Sequence, residues 1–155
     1  MSDQLKHIEI KPKKGFSNVL FGFSMSEVEK HLGAADEIDQ TEEEEGTKTT
    51  IWHYWKKGYS LFFNSESNDI FTCIEIENKE AVLWGEKVFE LTEEQLIQLF
   101  TRMGYRSCET ELYEWGEKRI SFDDALVDCY FEEDKLAVVN YGIYIDDNKV
   151  LILPN

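Results

Sequence analysis

Two stretches, FGFSMSEVEKHLGAAD (21–36) and FELTEEQLIQLFTRMG (89–104), open a helix with the same phrase, their caps at Ser24 and Thr92 lying 68 positions apart. In a capping box a Ser or Thr side chain accepts the backbone N–H three residues on, while a Glu or Gln there reaches back to the cap's own N–H. Ser24 with Glu27 has that spacing, and so does Thr92 with Gln95. A hydrophobic staple flanks each box, Phe23 with Val28 and Leu91 with Leu96. Behind the staples the apolar residues recur at helical spacing: Val28 and Leu32, then Leu96, Leu99, Phe100 and Met103. Gly33 and Gly104 supply natural stops, so the pattern predicts helices over 25–33 and 93–103. Phe21 and Phe89 each stand three positions before a cap.

The segments after the two helices are also alike. After the first come an acidic tract (41–47), TIWHYW (50–55), a KKG turn, YSLFF (59–63) and FTCIEIEN (71–78). After the second come ELYEW (111–115), KRISF (118–122), LVDCYFEE (126–133) and KLAVVNYGIYID (135–146), with VLIL (150–153) as a short terminal strand. Aromatic and β-branched runs between turn signals read as strands, roughly seven to nine of them. Connections this short leave no room for βαβ crossovers, so the sheet is expected to be antiparallel. The expected fold is α+β: an antiparallel meander sheet with two main helices, arranged as a tandem duplication of helix then meander. The half-repeats are 20–84 and 88–146 within a single domain, 1–155.

The phrase GFSMSEVEKHLGAADEI, followed by W-x-Y and GYSLFF, resembles a bacterial module of the form G-x-S/T-x-x-E/Q-V-x-x-x-L-G-x-x-D. It is similar to the module in the small lipoprotein of the outer-membrane barrel-assembly machinery and to the tandem repeats of the β-lactamase inhibitory proteins. Those proteins are binders, and the resemblance implies a helical layer packed on a curved antiparallel sheet. It covers 20–63 well and the second half in outline. The chain lacks a lipobox cysteine and the inhibitors' disulfides, so no residue's role carries over.

Composition narrows the function classes. The 155 residues are 42% hydrophobic and 14% aromatic, enough for a core without a metal or disulfide staple. Cys73, Cys108 and Cys129 are odd in number and lack zinc-like spacing, which reads as reduced thiols in a cytoplasmic protein. The start, MSDQLKHIEIKPKKG, has no apolar run of a signal peptide, and no stretch is apolar enough to span a membrane. A net charge of −16 argues against nucleic acid, which needs cationic neutralisation, and suits a basic protein partner.

Catalytic and metal signals are thin. His7, His31 and His53 are scattered, and Cys73 and Cys129 sit in apolar strand segments where cysteine behaves as a small hydrophobe. Carboxylate clusters fall at turns, and DDALVD is not a calcium ladder. No metal or other cofactor is expected. The aromatics carry more. Alternation puts Trp52 and Tyr54 on one face of their strand and His53 and Trp55 on the other, so one of the two tryptophans is core and the other exposed. Trp84 and Trp115 raise the same question near strand ends. The expected function is a non-enzymatic cytoplasmic protein-binding module, an immunity or inhibitor protein acting on a basic partner. Its candidate contact residues are Trp52, Tyr54 and Trp55 with the acidic Glu42, Glu43, Glu44 and Glu45. The alternatives are a small enzyme with a site assembled from scattered residues, or a structural subunit. Oligomeric state is left open.

Overall fold

The computed structural model describes residues 8–42 and 46–143. Both helices start at the capping phrases. In α1 (Met25–Leu32) the Glu27 N–H donates to Ser24 Oγ at 3.1 Å, and Glu27 Oε1 accepts the Ser24 N–H at 2.9 Å. In α2 (Glu93–Arg102) the Gln95 N–H and Thr92 Oγ1, and the Thr92 N–H and Gln95 Oε1, repeat the pair at 3.1 and 2.9 Å. Val28 and Leu96, the inner halves of the staples, are fully buried. At the far ends Gly33 caps α1 with φ 79°, and α2 closes with Tyr105 N–H donating to Phe100 O and Gly104 N–H to Thr101 O. That pair of bonds is a Schellman stop, with Gly104 at φ 98°.

Three short strands precede α1: β1 (Glu9–Lys11), β2 (Gly15–Phe16) and β3 (Val19–Leu20). After α1 the chain runs through β4 (Glu37–Glu42), β5 (Lys48–Tyr54), β6 (Tyr59–Asn64) and β7 (Ile70–Ile76). Two short strands, β8 (Val82–Leu83) and β9 (Glu86–Lys87), lead to α2. Then come β10 (Glu109–Leu112), β11 (Glu117–Phe122), β12 (Val127–Glu132) and β13 (Lys135–Gly142).

The result is an α+β fold with two sheets. The larger has eight antiparallel strands in the order β10-β11-β12-β13-β7-β6-β5-β4. Each helix is therefore followed by a four-stranded meander, and the meanders join through their last strands, β7 and β13. Each meander also carries one irregularity between its third and fourth strands, at Phe62/Phe63 and at Tyr130/Phe131, where the sheet is free to bend. The β12–β13 turn puts Glu133 and Asp134 at φ 51° and 68°, the two left-handed positions of a tight hairpin, without the expected glycine.

The smaller sheet, β3-β2-β1-β8-β9, has no counterpart in the sequence pattern, and it corrects the expectation of antiparallel pairing throughout: β1 and β8 pair in parallel. Strand β4 is a second addition. It is exposed along its whole length and strongly acidic, so it shows no buried alternation. The strand expected at 111–115 is shifted to Glu109–Leu112, which leaves Tyr113 and Trp115 in the β10–β11 turn. The expected strand at 150–153 and the end of the one at 135–146 lie outside the described residues.

One face of the large sheet is covered by α1, α2 and the small sheet. Its side chains form two apolar rows in register: Trp52–Leu61–Ile74–Tyr141–Val127–Phe122, and Tyr54–Tyr59–Ile76–Val139–Cys129–Ile120. Phe100 of α2 stacks on Phe122 with centroids 3.7 Å apart, and Tyr141 Oη donates to Gly15 O at 2.8 Å, tying the small sheet to the large one.

Ser24→Ala and Thr92→Ala should each lower stability by about 0.5–2 kcal/mol while leaving the fold intact. Denaturant melts with unchanged midpoints for both variants would show that these hydroxyls do not act as caps.

Candidate functional site

The same alternation that fills the core sends every second residue of the large sheet to the opposite face. No described element lies over that face. Following the pairing across all eight strands gives one unbroken row: Glu37, His53, Ser60, Glu75, Asn140, Asp128, Ser121 and Glu109. Every member is polar. Asp39, Glu77 and Glu111 extend the acidity into the neighbouring rows, with Arg119 as the cation set among them. A cavity of about 370 Å³ opens on this face, lined by Cys73, Glu109, Arg119, Ser121 and Asp128 among others.

One carboxyl of the row is held away from its ordinary state. Burial, then the charge of Glu77, raises the Glu75 pKa above its ordinary 4.5, against a smaller opposing effect of His53. Arg119 donates from Nη2 to Glu111 Oε1 at 2.9 Å, yet its buried Nε has no hydrogen-bond partner among the described residues. Cys73, beneath the row, places Sγ 3.6 Å from Asn140 Oδ1. Desolvation pushes its thiol up to about 12, and burial raises Cys129 further, so neither supplies a thiolate near neutrality.

The alternation argument places the candidate aromatics. Trp52 and Tyr54 lie on the helix side of β5, Trp52 against Phe63 and Tyr54 donating its hydroxyl to Gly33 O at 2.9 Å. They hold the core and the end of α1 and cannot touch a partner. Trp55, 52% exposed, is on the open face. Its ring stacks on His53, centroids 4.1 Å apart and planes 9° from parallel, and its indole N–H donates to Glu37 Oε1 at 2.8 Å. His53 is itself pinned at both ring nitrogens, Nε2 against Asp39 Oδ2 at 2.8 Å and Nδ1 against Ser60 Oγ at 2.7 Å. Glu42 ends β4, paired with Lys48; Glu43, Glu44 and Glu45 lie outside the described residues.

Asp39, His53 and Ser60 are connected as the members of a hydrolytic triad would be. The surroundings do not complete one. Ser60 sits within β6, between β5 and β7, where the strand N–H groups are engaged in the two ladders. Among the described residues, β6 thereby offers no pair of free donors to an oxyanion. The relay's evident effect is to fix the His53 ring as a platform for Trp55.

Several residues of this face gave no sequence signal, among them Ser60, Glu75, Asp128 and Asn140. Each is an ordinary polar residue on its own strand, and they meet only through long-range pairing. Among the described residues no group of three or more His, Cys, Asp or Glu could hold a metal, and no helix is long and apolar enough to cross a membrane. His31 is bound instead to its own helix, Nδ1 to Glu27 O at 3.0 Å. The chain matches no family model, no curated protein and no solved structure.

A carboxyl whose pKa is raised holds its proton more tightly in the folded than in the unfolded state. Ionising Glu75 therefore costs stability as pH rises past its ordinary 4.5. Glu75→Gln should make the protein more stable at neutral pH, and the gain should shrink as pH falls toward that value and be absent below it. Denaturant melts across pH check this; a variant no more stable than wild type at neutral pH would contradict it.

Proposed function

We propose that the chain is a non-enzymatic protein-binding module, an immunity or inhibitor protein in kind, that receives a basic protein on the open face of its large sheet. The observation that carries the reading is the unbroken polar row from Glu37 to Glu109, flanked by further carboxylates on a face that no described element covers. A sheet face built only for solubility has no need to keep a desolvated carboxylate such as Glu75 at its centre. A basic partner would relieve that cost, so stability withheld in the free protein becomes affinity in the complex. Trp55 is the anchor of this reading, with Glu37 and Asp39 of β4 beside it; Glu42 falls on the helix side of β4, at the end far from Trp55, and Glu43, Glu44 and Glu45 lie outside the described residues.

The like arrangement of the two helix-and-meander halves, down to matched sheet irregularities, supports reading them as a tandem duplication. The resemblance of 20–63 to the assembly-lipoprotein and inhibitor modules points the same way, toward binding rather than chemistry.

Binding should weaken as salt rises, chiefly through a slower association rate. Trp55→Ala should cost about 2 kcal/mol or more, and replacing Glu42 to Glu45 by Gln should cost less and flatten the salt dependence. The direct test is affinity capture with wild-type bait beside a Glu75→Lys, Asp128→Lys bait. A basic protein held by the first and lost from the second is expected. A partner held equally by both would place the contact elsewhere.

The Asp39–His53–Ser60 relay favours a second reading, a small serine hydrolase. It is weaker for want of oxyanion donors at Ser60. A fluorophosphonate probe should leave Ser60 unlabelled at neutral pH; stoichiometric labelling lost in Ser60→Ala would favour the enzyme.

A further inference from the structure

The two large exposed aromatics of the open face are held by the same construction. Trp55 stacks on the ring two residues earlier, His53, and gives its indole N–H to Glu37. Trp115 also stacks on the ring two residues earlier, Tyr113, with centroids 4.7 Å apart and planes 8° from parallel, and gives its indole N–H to Glu117 Oε1 at 3.3 Å. The platforms are tethered too, His53 by Asp39 and Tyr113 by its hydroxyl donating to Glu111 Oε1 at 3.3 Å. One face of each indole is thus covered and the rest meets solvent, Trp115 being 72% exposed. Such rings are costly to leave in water and are already fixed in place, which lowers the entropy lost on binding.

Their placement is also related. Trp55 follows the end of β5, and Trp115 stands in the turn before β11. Because β5, β7 and β12 run one way and β6, β13 and β11 the other, both tryptophans fall at the same end of the sheet. Five strand spacings separate β5 from β11, roughly 24 Å at about 4.8 Å each, and Trp115 also lies farther out along the strand direction, since Trp55 is level with Arg119. Between them lies the acidic floor around Glu75 and Asp128.

An indole face beside a carboxylate is a receptor for a flat cation. A guanidinium can lie on the ring and pair through its edge with the adjacent carboxylate, whereas an ammonium can use only one of the two well. Resting on the basic-partner reading above, we propose that Trp55 and Trp115 are paired guanidinium receptors, and that the partner presents two arginines spaced to reach both.

The probe is a rigid peptide, two arginines joined by a polyproline spacer of eight residues, about 25 Å long at about 3.1 Å per residue. Its controls carry two lysines on the same spacer, two arginines on a three-residue spacer, and two glutamines. Titrations are read by the indole N–H signals of the protein. The long arginine peptide should bind about tenfold or more tightly than each control, shifting the Trp55 and Trp115 signals together. Either Trp55→Ala or Trp115→Ala should remove that advantage; both side chains are too exposed for truncation to unfold the protein. If binding depends on Glu75 and Asp128 but not on Trp115, or the lysine peptide does as well, the paired receptor is wrong and the acidic docking face stands. If no cationic peptide exceeds the glutamine one, both readings fall.

Discussion

The pairing of β7 with β13 is the contact on which the rest of the structure depends. It joins two four-stranded meanders into one sheet and sets the register between them, Ile76 against Val139 and Glu75 against Asn140. A slip of one residue would send the core of one half to the open side of the other. The approach is close at its end, where a Cβ on Gly142 would stand 2.5 Å from the Thr72 carbonyl oxygen. Glycine there lets β13 lie against β7 without a displaced backbone. That one register sets both the apolar rows under the helices and the polar row on the other side.

Among the described residues, coverage on one side only then divides the chemistry. The helices and the small sheet supply Val28, Leu96, Phe100 and Ile10 to one face, and that face holds the large aromatics of the core. The other face carries the polar row, with a guanidinium whose Nε is unpartnered among the described residues, and beside it the half-buried Ile51, Phe62, Tyr130 and Val138. A Ser–His–Asp connection arises there from cross-strand pairing alone. Its geometry serves to hold a ring still, because a strand inside a sheet has already committed the N–H groups that hydrolysis would need.

The features legible in the sequence are those that depend on neighbours in the chain. Capping boxes are contacts three residues apart, and both are readable from Ser24, Glu27, Thr92 and Gln95. Alternation within β5 is enough to separate Trp52 and Tyr54 from Trp55. The hidden features depend on distant partners. β4 is exposed and acidic on both faces, so EIDQTE has no strand pattern, and the strands of the small sheet are two or three residues long. The polar row draws one residue from each of eight strands, and no local window contains two of them except by chance. The pairs His53/Trp55 and Tyr113/Trp115 are each two positions apart in sequence, but Tyr113 and Trp115 stand in a turn, where strand alternation does not predict their stacking.

The central claim is that the open sheet face, and not the helical side, is where this protein meets its partner. Carbodiimide footprinting of carboxylates, read by mass spectrometry in the free protein and in the captured complex, tests it directly. The account predicts that Glu75, Glu109 and Asp128 lose reactivity in the complex while Glu29 of α1 and Glu94 of α2 keep theirs. Protection of the helical carboxylates with an unchanged open face would contradict it.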